Sequence, residues 1–168
     1  MAAAPIWRLS GGASNSDPAA SLGGVMSTST EVGTVGQGAA LGLFDDVSGD
    51  ESNAGDTEYR CVYVLNNGDQ PLTSGKVWIV DESIAAADIE LALAGEGVNA
   101  TAETVANENT APVGESFVEA PNKAGGLSLP TIPAGQRHGV WVRRIVAAAT
   151  GAAANRGFTL RVEGDTAA

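Results

Sequence analysis

Apolar residues that recur at every second position constrain this chain more than any other feature. In "EYRCVYVL" (58–65), Tyr59, Cys61, Tyr63 and Leu65 fall on one side of an extended chain, and Arg60, Val62 and Val64 on the other. In "KVWIV" (76–80), Val77 and Ile79 stand opposite Trp78 and Val80. In "HGVWVRRIV", Trp141, Arg143 and Ile145 share one side, and Val140, Val142 and Arg144 the other. In "FTLRVEGD", Phe158, Leu160 and Val162 point inward while Thr159, Arg161 and Glu163 point outward. Side chains alternate across a strand, so a period of two specifies sheet, whereas a helix needs a period near 3.6. Turn cues such as "NNGD" and "IPAG" separate these runs, and no long amphipathic helix appears. The pattern predicts an all-β fold, an antiparallel β-sandwich of immunoglobulin-like or jelly-roll-like type.

The strands at 58–65 and 76–80 are expected to pair as a hairpin, with "QPLTSG" lengthening their connection. "DIELAL" alternates Ile89, Leu91 and Leu93 against Asp88, Glu90 and Ala92 and is read as a strand over 88–93. A short helix capped by Ser83 and ended by Gly95 is the competing reading there. The stretch from Asn99 to Gly126 is read mostly as loop, with brief extended pieces around Val105 and Phe117.

Residues 1–42 show no sustained period. Trp7 and Leu9 are the strong apolar anchors of "WRLSGGASNSDPAASLGG", too few to offset the entropy of ordering that segment alone. The expected division is therefore an extended N-terminal arm, 1–42, and a sandwich domain, 43–168. The arm should cross its own domain or a neighbouring subunit, with Trp7 as its fastening point. Trp7, Arg8 and Leu9 in the arm, with Arg137, Arg143 and Arg144 near the C-terminus, are the candidate interface residues. Arg143 and Arg144 point to opposite sides of their strand, so one of them should reach solvent or a carboxylate on another subunit.

Charge narrows the choice of partner. The 168 residues carry 20 acids and 9 bases, a net charge of −11, which repels phosphates and argues against nucleic acid. The acidity is uneven: residues 1–123 hold 18 acids and 4 bases (−14), and residues 124–168 hold 2 acids and 5 bases (+3). A basic end of that kind suits an acidic neighbour or another copy of the chain. The single cysteine, Cys61, cannot form an internal disulfide and reads as a small buried hydrophobe. The start "MAAAPIWRLSGG" lacks a basic, apolar leader, and no run reaches the roughly 18 apolar residues of a membrane span. The expectation is a protein made and kept in a reducing cytoplasm, or released from one by lysis, and not engaged with a membrane.

Signals for catalysis are sparse. Six carboxylates, from Asp45 to Glu58, precede the first strong strand. A calcium loop of the EF-hand type needs glycine at its sixth position and glutamate at its twelfth, and neither start at Asp45 nor at Asp46 satisfies this. A looser calcium cage from Asp45, Asp46, Asp50 and Asp56 is the weak metal candidate, set against a solvated turn. His138 is the only histidine, so a zinc site or a Ser–His–Asp triad would have to be built around it. An ordinary surface or turn role is expected for it instead. No "GxSxG" motif occurs, and the glycine-rich tracts lack the lysine of a phosphate-binding loop. The adjacent acids Asp81 and Glu82 carry little information in so acidic a chain. No cofactor is expected. Trp78 and Trp141 lie on strand-forming segments, where core packing is favoured over a sugar platform.

Three segments carry a resemblance: "WRLSGGASNSDPAASLGG", "LFDDVSGDESNAGDTEYRCVYVLNNGD", and "IPAGQRHGVWVRRIV" with terminal "GFTLRVEGD". Together they resemble a family of small virion proteins encoded among the head and tail genes of tailed bacteriophages. The resemblance implies a non-enzymatic particle component, assembled in the host cytoplasm. Its partners would be the major capsid protein or tail proteins, and it would form a homo-oligomer, a trimer by expectation. It brings no catalytic residue with it. The first reading is a capsid decoration (cement) protein that binds and stabilises the major capsid lattice. A tail- or baseplate-associated module is the alternative, and a host-glycan-binding module using Trp78, Trp141 and the acidic loop is a third.

Overall fold

The run Asp56–Asn66 becomes a strand at the centre of the largest of three sheets, covered on both faces. The computed structural model describes residues 2–31, 43–45, 47–80, 87–151 and 158–166. In chain order the strands are β1 (Pro5–Ser10), β2 (Gly23–Gly24), β3 (Met26–Glu31), β4 (Asp56–Asn66) and β5 (Leu72–Val80). They continue as β6 (Ala87–Leu93), β7 (Ala102–Thr104), β8 (Leu127–Ser128), β9 (Arg137–Val146) and β10 (Thr159–Thr166). One short helix, α1 (Gly49–Ala54), precedes β4. The five-stranded sheet has the order β3-β1-β4-β9-β6, the three-stranded sheet β10-β5-β8, and β2 pairs with β7. Every ladder is antiparallel. The all-β, antiparallel sandwich architecture is the one the alternation predicts.

The main core lies between the two sheets. Val62, Val64, Val140, Val142, Ile89 and Leu91 from the larger sheet meet Val77, Ile79, Leu160 and Val162 from the smaller. Each such side chain, fully buried, contributes about 1.5–3 kcal/mol relative to exposure. A second cluster covers the other face of the larger sheet: Tyr59, Cys61, Tyr63, Ala92 and Trp141 pack under Leu22, Ala102, Val105 and Phe117. Two faces of β4 are therefore apolar because both are interior. Close approach here depends on small residues. A Cβ on Gly139 of β9 would sit 2.8 Å from the Ala94 Cβ. At Gly23, which has φ +83°, a Cβ would sit 1.8 Å from the Glu103 carbonyl oxygen.

Three expectations are corrected. The expected hairpin does not form: β4 pairs with β1 and β9, while β5 pairs with β10 and β8. The turn after Asn66 instead carries the chain from one sheet to the other. Asn66, fully buried, braces that corner. Its Nδ2 donates to the carbonyls of Gln70 (2.8 Å) and Ile132 (2.9 Å), and its Oδ1 accepts from the amides of Ala4 and Gly68 (3.1 Å each). Nor are residues 1–42 wholly an arm. β1 lies between β3 and β4 and pairs with β4 from Pro5↔Asn66 to Leu9↔Val62, so a boundary at residue 42 does not separate arm from domain. Finally, part of the acidic segment is helical. Ser48 caps α1 by accepting from the Glu51 amide, while the Glu51 carboxylate accepts from the Ser48 amide, a reciprocal capping box. The strand read over 88–93 is present as β6. Ser83 of the competing helix lies outside the described residues, as does Asp46 of the metal candidate.

Candidate functional site

A cluster of ionisable side chains lies beneath Leu43–Asp45. β4 and β9 pair in a register that sets Glu58 directly opposite Arg144, and Arg60 follows two residues on, on the same face. All three are buried. Arg144 donates to the Glu58 carboxylate through Nε and to the Asp45 carbonyl through Nη1, and its Nη2 lies 3.0 Å from Asp45 Oδ1. Arg60 donates from Nε to the Leu43 carbonyl (3.0 Å) and pairs through Nη2 with Glu108, with Glu58 Oε1 3.7 Å away. Both guanidinium groups cover the Phe44 ring, at 5.4 Å for Arg60 and 4.9 Å for Arg144. Phe44 in turn meets Phe158 at 6.1 Å between centroids. The cluster thus fastens the 43–45 segment onto the sheet by charge, by hydrogen bonds and by cation–π contact.

Burial pushes the Glu58 carboxyl above its ordinary range, against the opposing pull of Arg144 and Arg60, and nearby Asp45 adds to the rise. A raised carboxyl in an enclosed site is a signature that catalytic acids share. Here Glu58 is flanked by the Arg144 and Arg60 guanidinium groups, which ordinary pH does not deprotonate.

The acids that come together are Asp45, Glu51 and Glu58, each offering an oxygen within 4.8 Å of the others. The calcium cage read from sequence is not assembled among the described residues. Asp50 is exposed in the first turn of α1, and Asp56 accepts from Asn109 Nδ2 (2.8 Å) and from the Thr57 amide. Asp45 belongs to the cluster, but the charge it meets there is Arg144.

The candidate interface residues are mostly committed within the fold. Trp7 is 1% exposed in the main core, and Leu9 packs half-buried against it. Arg8 donates from Nη1 to the Thr28 carbonyl (3.2 Å). Arg137, at the start of β9, lies over the Tyr63 ring at 5.5 Å. Arg143 pairs with Glu90 on β6 and lies 4.7 Å from the Phe117 centroid. The two adjacent arginines do point opposite ways, and each finds its carboxylate in its own chain.

His138 and Cys61 are interior. His138 is buried on β9, its Nδ1 2.8 Å from the Gly139 carbonyl oxygen, which corrects the expected surface or turn role. Cys61 is fully buried, as expected, and burial pushes its thiol far up. Trp78 and Trp141 are buried, as is Trp7, so none of the three tryptophans forms an exposed sugar platform. No helix among the described residues is long and apolar enough to cross a membrane.

Sequence reasoning missed the Glu58–Arg144 pair and the cap on α1. Both had signals. Glu58, Arg60 and Arg144 occupy positions that continue the inward-facing rows Val62–Val64 and Val140–Val142, and "SGDE" spells the S-x-x-E box.

Comparison with protein-family models, curated proteins and solved structures finds no match to this chain.

Proposed function

We propose that the chain is a non-enzymatic structural protein of a bacteriophage particle. In this reading it is a capsid decoration protein that binds the major capsid lattice as a homo-oligomer, after assembly in the host cytoplasm. One observation carries the reading: among the described residues, the buried charges, the cysteine and the histidine are enclosed within the fold. Glu58, Arg60 and Arg144 tie a loop to a sheet, and Cys61 and His138 lie in the interior. A two-layer antiparallel sandwich with an acidic composition and no need of disulfides suits a high-copy particle component. The resemblance of its quoted segments to phage virion proteins supplies the direction. Trp7 and Arg144 are excluded as capsid contacts by their burial, so the contact surface in this reading lies elsewhere on the exterior.

Labelling purified particles with antibodies raised against the chain, viewed by electron microscopy, tests this. Label over the head supports decoration. Label confined to the tail replaces it with the baseplate reading, and particles without label overturn both.

A further inference from the structure

The corner after β4 sets a committed asparagine beside an uncommitted one. Asn66 is fully buried, and its carboxamide holds four partners across the corner. Asn67 is exposed, and among the described residues no hydrogen bond holds its side chain, although its backbone amide donates to the Ala4 carbonyl (2.9 Å). The next residue is Gly68, the one glycine in the sequence that follows an asparagine. Packing keeps glycine there, because a Cβ at 68 would lie 2.2 Å from the Ala2 carbonyl oxygen. Without a side chain, its backbone nitrogen is unshielded from the carboxamide before it. Asparagine is among the residues that fail chemically with heat and time, and this pairing is its most reactive setting in the chain.

We propose that Asn67–Gly68 is a self-modifying site, at which the chain converts its own asparagine to aspartate and isoaspartate. Base removes the Gly68 amide proton, and that nitrogen attacks Asn67 Cγ. The new N–Cγ bond closes a succinimide ring. The Cγ–Nδ2 bond breaks, and its electron pair leaves with the nitrogen as ammonia, which takes its proton from solvent. One water then opens the ring at either carbonyl, giving aspartate or isoaspartate, and nothing is oxidised or reduced. The fold sets the pace. The Gly68 N–H donates to Asn66 Oδ1 (3.1 Å), so that bond must open before the nitrogen can attack. The products act on the same corner. Isoaspartate lengthens the main chain by a methylene where Asn67 holds the Ala4 carbonyl and where the Ala4 amide donates to Asn66 Oδ1 (3.1 Å). Aspartate adds a negative charge two residues from Asp69. Conversion therefore loosens residues 2–4, which lead into β1, and leaves the core between the sheets in place. The site does not depend on a particle role.

Incubating the full chain in mildly acidic and mildly alkaline buffer, native and in urea, tests this. Peptide mass spectrometry and an isoaspartate-specific methyltransferase assay read the conversion. Native protein should convert at residue 67 over days, several-fold faster in the alkaline buffer because the attacking nitrogen must lose its proton. Conversion should be faster again in urea, where Asn66 no longer holds Gly68. Asn67→Gln, which would need a larger ring, should lose the conversion and keep the wild-type melt. Native protein that stays unconverted in alkaline buffer, or that converts only at other asparagines, overturns the inference. Amide exchange reads the consequence. The Ala4 amide should exchange faster in converted than in fresh protein, and equal rates would refute the loosening.

Discussion

Glu58 on β4 and Arg144 on β9 stand directly opposite one another, both almost wholly buried, and share a hydrogen-bonded ion pair. Desolvating two charges is repaid only when both are present. Arg144→Ala should therefore cost about 3–5 kcal/mol, because it strands the carboxylate in the interior. A Glu58→Leu/Arg144→Met double variant should recover most of that loss. Urea unfolding at neutral pH measures both. A double variant as weak as the single would show that the contacts of Arg144 to Asp45 and Phe44 matter more than the pair.

Tyr63 provides a pH-dependent prediction. Its hydroxyl donates to the Gly24 carbonyl and accepts from the Ala102 amide (2.8 Å), joining β4 to the segments that cover it. Burial, with a smaller contribution from Cys61, pushes its pKa up to about 12. A raised value means that the folded state holds the proton more tightly. The stability this brings is complete below the ordinary phenol range, near pH 10, and is lost as pH climbs through the folded value. In an alkaline absorbance titration, one of the two tyrosines should ionise only near pH 12. Tyr63→Phe should remove that late phase and cost about 1–3 kcal/mol, because the Ala102 amide loses its acceptor.

The N-terminal strand belongs to the domain. Trp7→Ala should destabilise the protein by about 3–5 kcal/mol, as loss of a large core side chain does. Removing residues 2–10 should prevent folding, since it takes out the strand between β3 and β4. Circular dichroism and thermal melts of the two variants check this. A truncated chain that melts like the intact one would restore the picture of a detachable arm.

Calcium should leave the protein unchanged. Asp45 and Glu58 already share the Arg144 guanidinium, and Glu51 is engaged at the cap of α1. The melting midpoint should be the same with millimolar calcium and with a chelator. A calcium-dependent rise would mean that the Asp45–Glu51–Glu58 group takes a cation in place of its arginine.

Much of the fold was legible in the alternation, because a half-period error would place charge in the core along a whole strand. Val62, Val140, Ile79 and Leu160 face the layer that their spacing assigns to them. Pairing partners were not legible. Whether β4 turns back on β5 or hands over to another sheet depends on Asn66 bridging Ile132 and Ala4, contacts far apart in the chain. β1 escaped notice for a similar reason: a six-residue strand with only Ile6, Trp7 and Leu9 as strong apolar residues gains its stability from neighbours on both sides. The charge cluster was half visible. Periodicity turns Arg144 toward the valine face, but only the register of β4 against β9 brings Glu58 to it.

The central claim, that the chain is a structural component of a capsid, is tested most directly by counting it. Quantitative peptide mass spectrometry of purified particles gives its copy number against the major capsid protein. The decoration reading predicts a fixed ratio comparable to that of the lattice subunits. A chain absent from particles, or present at only a few copies each, would contradict it.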